Sequence, residues 1–233
     1  MKANRILYTI KEKVQETHNV VTLKLSCEEG LPKYCSGQFI TVYFDDTGNA
    51  EGKAYTISSS PSEETLNITV KGVGQFSNRL CAVKNGDIVE ASLPYGYFYS
   101  ESPNTSLVMI AGGMGVAPFR SMIMDSIKNN HKRNLVLFTS NKKLEDSIFK
   151  HEFEKAKSEA PLFTMYNYIT QDSTLPEGVK NGRITVGDII NQTKNLQNRE
   201  FLICGSIAFV RDFWKGLKQA DIPEETIYTE AFF

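Results

Sequence analysis
Between Arg5 and about Pro94 the apolar positions recur at short spacing, and several runs keep a period of two. Leu66-Asn67-Ile68-Thr69-Val70-Lys71 alternates strictly, which gives a strand one apolar and one polar face. Gln38 to Phe44 is β-branched and aromatic, and Gly86 to Leu93 follows the turn-forming pair Asn85-Gly86. Only Ser77 to Val83 carries a helical spacing in this stretch. Short strands punctuated by turns predict a six-stranded antiparallel β-barrel.

The polar, proline-containing run Ser100 to Ser106 reads as a linker, and beyond it the period changes. Strand-like runs at Leu107–Ala111, Asn134–Thr139, Leu162–Ile169 and Glu200–Cys204 alternate with helical ones at Pro118–Asn129, Asp146–Lys157 and Phe209–Ala220. That alternation predicts a second, α/β domain built on a doubly wound parallel sheet. The expected division is 1–101 for the barrel and 102–233 for the α/β domain.

Composition narrows the class. With 41% hydrophobic and 23% charged residues, the 233-residue chain has apolar mass for two cores. A formal net charge of -1 argues against capture by nucleic acid or an anionic membrane surface. No apolar run approaches the roughly 18 residues of a membrane span. Met1 to Arg5 leads straight into a strand pattern, so no signal peptide is expected. Cys27, Cys35, Cys81 and Cys204 form no C-x-x-C pair and fit no metal or cluster spacing, which predicts a reducing, cytoplasmic setting.

The chemistry concentrates in a few segments. Lys53-Ala54-Tyr55-Thr56 supplies a cation for phosphate, a ring for stacking and a hydroxyl for a ring nitrogen, as a flavin nucleotide requires. Val70 and Lys71 lead into Gly74-Gln75-Phe76-Ser77, where a glycine admits close approach of a pyrophosphate. Ser77 reads either as a phosphate-binding hydroxyl or as the N-cap of a short helix. Gly112-Gly113-Met114-Gly115-Val116-Ala117-Pro118 follows a strand and opens a helix, the setting in which backbone N–H groups receive a dinucleotide. Cys204-Gly205-Ser206 ends an apolar strand at the edge where open α/β sheets bind ligands, and the chain closes on Glu230-Ala231-Phe232-Phe233.

Taken in this order, the segments resemble the ferredoxin–NADP reductase superfamily, with its R-x-Y-[ST], G-x-x-S, Gly-rich, Cys-Gly and acidic-aromatic motifs. The likeness runs along essentially the whole chain. Lys53 stands where the family has arginine, which exchanges a bidentate fork for a single mobile charge. The resemblance implies FAD in preference to FMN, with NADH or NADPH as hydride donor. It implies that Tyr55 stacks on the flavin, Thr56 lies near its N5, and Cys204 and Glu230 adjoin the nicotinamide. Phe232 or Phe233 would cover the flavin. Ser140 and Asn141, beside Lys142 and Lys143, would lie at the adenosine ribose.

The implied activity is passage of electrons from NAD(P)H through FAD to a separate ferredoxin, flavodoxin or oxygenase component. Two other readings stand beside it: a reductase of free flavin or small acceptors, and a non-catalytic electron-transfer subunit of a larger complex.

Overall fold
Burial on both faces marks most strands of the first sheet: even Asn67 and Thr69, the polar positions of the alternating run, are 2% and 6% exposed. β1 (Arg5–Thr17), β2 (Val20–Ser26), β3 (Phe39–Tyr43), β4 (Lys53–Thr56), β5 (Leu66–Lys71) and β6 (Ile88–Ser92) pair antiparallel in the order β4-β3-β6-β1-β2-β5. This is a computed structural model that describes residues 5–44 and 52–232. A bridge between Ile57 and Ile68 joins the chain just past β4 to β5, so the two ends of the sheet meet as a barrel. β1 serves two partners: Arg5–Thr9 pair with β6 and Thr9–Thr17 with β2, and a register shift after Ile10 bends the strand between them. Tyr8, Ile10, Leu23, Leu25, Ile40 and Ile68 are fully buried inside. Each such side chain contributes about 2 kcal/mol from burial alone. The helix expected from Ser77 begins two residues earlier, as α1 (Gln75–Ala82), because Gly74 and not Ser77 is its N-cap.

Contacts divide the molecule into two units, one running to Tyr99 and including Arg120–Asp125, the other comprising Ser100–Phe119 and the chain from Ser126 onward. Within the first unit, three successive carbonyls are met by side chains and not by strand partners. Arg120 Nη1 donates to Ser58 O at 2.7 Å, Ser121 Oγ to Ser59 O at 2.5 Å, and Tyr34 Oη to Ser60 O at 2.9 Å. Arg120 also pairs with Glu63 at 3.0 Å. Burial, opposed by the Ser59 hydrogen bond, pushes the Tyr34 phenol well above its ordinary value, so it remains a donor.

The second unit is a parallel sheet. β7 (Ser106–Gly112), β8 (Leu135–Asn141), β9 (Phe163–Ile169), β10 (Val179–Asn181), β11 (Arg199–Ser206) and β12 (Ile227–Phe232) lie in the order β10-β9-β8-β7-β11-β12. Helices α2 (Ala117–Lys128), α3 (Lys150–Glu159), α4 (Val186–Thr193) and α5 (Ile207–Gln219) connect them. The chain winds outward from β7 through β10 and then returns to the other side of β7 as β11. β7 and β11 are therefore neighbours from which the chain departs in opposite directions, the switch point at which such sheets bind ligands.

Three expectations need correction. The helix placed over Asp146–Lys157 starts only at Lys150, because Phe149 adopts φ 58 and buries its ring against Phe153. Asp146 instead closes a short 3-10 turn, accepting the Lys143 N–H. Ser106, assigned to the linker, is already the first residue of β7. β10 and α4 are additional elements; α4 opens with Thr185 and Asp188 in a reciprocal cap that its sequence does signal. No helix among the described residues is long and apolar enough to cross a membrane.

Replacing Arg120 by methionine would leave the Glu63 carboxylate and the Ser58 carbonyl without this partner. The expected cost is about 3 kcal/mol in urea unfolding followed by circular dichroism. Glu63→Gln added to Arg120→Met should recover part of that loss.

Candidate functional site
β4 runs antiparallel to β3, with Tyr55 opposite Ile40 and Thr56 opposite Phe39. This register leaves Lys53 and Ala54 exposed, Tyr55 half-buried and Thr56 buried. Tyr55 lies nearly parallel to Phe76, at 22° with ring centroids 6.4 Å apart, and Phe76 also contacts Phe44 at 4.9 Å. This pair sets Tyr55 of β4 beside Phe76 in the first turn of α1. Burial, with a smaller effect of Cys81, holds the Tyr55 phenol well above its ordinary value, so its ring is neutral.

Ser77 occupies the third position of α1 and folds back. Its Oγ accepts the N–H groups of Val73 and Gly74, both at 3.0 Å, and donates to Gly74 O at 3.1 Å. The hydroxyl thus shapes the turn after Val70 and Lys71. The N–H groups of Gln75, Phe76 and Ser77 belong to the helix start, where no carbonyl of their own helix can receive them. Nothing lies within 4 Å of where a Gly74 β-carbon would stand. An open glycine, helix-terminal donors and the exposed Lys53 and Lys71 fit a flavin pyrophosphate.

At the switch point of the second unit, four glycines perform two jobs. A β-carbon on Gly115 would stand 2.0 Å from Cys204 O, so the turn after β7 can pass the end of β11 only without a side chain there. Gly112 and Gly205 both press on the Phe209 ring, where β-carbons would come to 3.0 Å and 2.9 Å. Gly113 differs: its φ is +54 and the space about it is open. It is the glycine of this turn that offers bare backbone outward. Pro118 sits in the first turn of α2, where a missing N–H breaks no helical bond.

β12 pairs parallel with β11 so that Glu230 is level with Cys204, Ala231 with Gly205 and Phe232 with Ser206. The segment up to Phe232 is thus a strand, whose register sets the acid beside the thiol. Cys204 is fully buried; burial, reinforced by Glu230, lifts its thiol well above the ordinary value. It is a neutral thiol and no nucleophile at physiological pH. Glu230 Oε2 is buried with no hydrogen-bond partner, and burial raises this carboxyl from 4.5 to about 7. Phe233 lies outside the described residues. Ser140 and Asn141 end β8, but the Asn141 amide turns into its own loop, donating to Ser147 Oγ at 3.3 Å.

Sequence reasoning missed Phe209, the wedge between Gly112 and Gly205. Its helical stripe with Val210, Phe213 and Leu217 is visible in the sequence, but its contact with the two glycines is not. It missed Arg120 and Tyr34 for the same reason, since their partners lie 62 and 26 positions away.

The model of the oxidoreductase FAD-binding domain matches residues 7–99, and that of the oxidoreductase NAD-binding domain matches residues 109–215. A flavohemoprotein of Bacillus cereus is 28% identical over 249 aligned positions, covering 97% of this chain and 60% of that protein. The chain spans about three fifths of the length of the flavohemoproteins it matches. In fold it is similar to the flavohem-like FAD/NAD-binding domain of nitric oxide dioxygenase from Vibrio cholerae, with TM-score 0.87, 22% identity and coverage of 97% and 98% of the two chains. It is also similar to a ferredoxin NADP+ reductase from Neisseria gonorrhoeae with bound FAD and NADP, with TM-score 0.82, 20% identity and full coverage of both chains.

Three outcomes follow from this geometry. Gly115→Ala should cripple the second unit, visible as loss of its cooperative thermal transition. Gly113→Ala should cost only about 1 kcal/mol, the strain of a left-handed backbone. Glu230 binds its proton more tightly folded than unfolded. Its contribution to stability is full below pH 4.5 and lost as pH rises through about 7. Glu230→Gln should flatten that fall and be the more stable protein at pH 8, by about 2 kcal/mol in urea titrations.

Proposed function
We infer, from the premise that this chain belongs to the ferredoxin–NADP reductase superfamily, that it is a flavoprotein reductase. It takes electrons from NADH or NADPH and passes them through bound FAD to a separate one-electron acceptor: a ferredoxin, a flavodoxin or an oxygenase component. The observation that carries this reading is the switch point between β7 and β11. There a glycine turn, a neutral buried thiol and an unpartnered acid stand together in one unit. That unit follows a barrel whose Lys53–Thr56 segment meets a helix N-terminus.

Bound FAD supplies the conversion between a two-electron donor and single-electron acceptors. The protein's part is binding and orientation. Tyr55 offers the flavin a neutral ring, and Thr56 a hydroxyl fixed at the end of β4. The N–H groups of Gln75, Phe76 and Ser77, with Lys53 and Lys71, receive the pyrophosphate, which favours FAD over FMN. Gly112, Gly113, Gly115 and Gly205 let the nicotinamide dinucleotide approach backbone. Cys204 gives its ring a small, uncharged neighbour, and Glu230 holds a proton or a hydrogen bond beside it. Phe232 extends β12 with an aromatic side chain level with Ser206. The four free thiols suit a reducing cytoplasm. On this reading the barrel occupies 1–101 and the nucleotide domain 102–233.

The purified protein should show flavin absorbance bands that bleach on anaerobic addition of a reduced nicotinamide dinucleotide. Bands that persist would identify an electron-transfer subunit, and a colourless protein that reduces added flavin would identify a free-flavin reductase. Lys53→Ala should weaken FAD binding by about fivefold in a fluorescence titration, and Lys53→Arg should restore or tighten it.

A further inference from the structure
The parallel ladder between β7 and β11 ends at the pair Ala111 and Cys204. Gly112 and Gly205 come next, and each is paired outward, Gly112 with Ser140 of β8 and Gly205 with Ala231 of β12. The two central strands therefore lose their hold on one another at the point where the crevice opens. Beyond that point their separation must be set by packing.

Phe209 supplies it. A β-carbon on Gly112 would stand 3.0 Å from Cγ of this ring, and one on Gly205 would stand 2.9 Å from its Cδ1. The Gly205 β-carbon would also come to 3.3 Å from Gly112 N and Cα, so one ring lies against two adjacent strand ends. By alternation both glycines belong to the sheet face of Val108, Ile110, Phe201 and Ile203, which packs with α5. Cys204, one residue earlier, has the opposite face. The ring's own place is fixed from α5. Ser206 caps that helix, its Oγ accepting the Phe209 N–H at 3.4 Å, and the Phe213 ring packs on Phe209 with centroids 4.7 Å apart.

We propose that Phe209 is a positioning residue for hydride transfer from the nicotinamide dinucleotide, acting as the spacer between the ends of β7 and β11. β7 leads into the open turn at Gly113, which receives the pyrophosphate; β11 carries Cys204, which neighbours the nicotinamide. A dinucleotide held at both ends is aligned only as well as these strands are spaced. A misplacement of about 1 Å slows a reaction by roughly 10²-fold, even when no binding group has been removed. The proposal rests on the nucleotide-binding reading of the second unit.

The test compares the flavin-loaded protein with Phe209→Leu, Phe209→Met and Phe209→Tyr. Stopped-flow absorbance gives the limiting rate of flavin bleaching by NADH or NADPH, whichever is faster, and calorimetry gives the affinity for ADP-ribose. ADP-ribose carries the pyrophosphate without the nicotinamide, so it reports on the β7 turn alone. Leucine and methionine keep apolar volume but not a flat ring that reaches both glycines, and either variant decides the question. Each should lower the limiting rate by about tenfold while leaving ADP-ribose affinity nearly unchanged. Phe209→Tyr, which keeps the ring, should retain most of the rate. A lower melting temperature with an unaltered limiting rate would make Phe209 a packing residue only and overturn the proposal. Parallel loss of rate and ADP-ribose affinity would overturn it too, because the ring would then be shaping the turn itself. Absence of ADP-ribose binding by the unaltered protein would instead sink the nucleotide-binding reading on which the proposal stands.

Discussion
The close passage of the turn after β7 over the end of β11 constrains everything at the switch point. Cys204 O stands 2.0 Å from where a β-carbon on residue 115 would be, so the backbone itself is the spacer between the two strands. The turn Gly113–Val116 runs without a break into α2 at Ala117. Phe209 then fills the remaining space by pressing on Gly112 and Gly205. The absence of side chains here removes volume from inside the protein, which is a packing requirement. Only Gly113 removes it toward the outside.

This distinction explains how far the sequence could be read. Strands written as alternating or continuous apolar runs were legible although β5 and β7 are buried on both faces: β5 matches its run to the residue, and β7 and β9 follow theirs closely. Helix starts were less legible wherever one residue adopts an uncommon backbone. Phe149 at φ 58 delays α3, and nothing local marks a buried phenylalanine for that conformation. Ser77 illustrates a subtler limit. Its position after Gly74 was evident, but a hydroxyl three residues after a glycine can cap a helix or reach back into the turn. The backbone chose the second.

For the candidate site, the residues were found more readily than their states. Cys204 and Glu230 are separated by 26 positions in sequence, and only the parallel register of β11 and β12 makes them neighbours. Once they are adjacent and enclosed, desolvation favours the neutral form of each. The same reasoning covers Tyr55, whose ring is kept uncharged by burial against Phe76. Burial keeps Tyr55 and Cys204 neutral, whereas Glu230, raised to about 7, is shared between its two forms near neutral pH.

β12 adds one consequence. It is the border strand of its sheet, held laterally by β11 alone, yet it carries the acid whose proton affinity burial has raised. Any loosening of the strand would rehydrate that carboxyl and lower its affinity for the proton. Proton uptake and strand docking are therefore linked: a bound proton favours the closed border of the sheet, and rising pH weakens it.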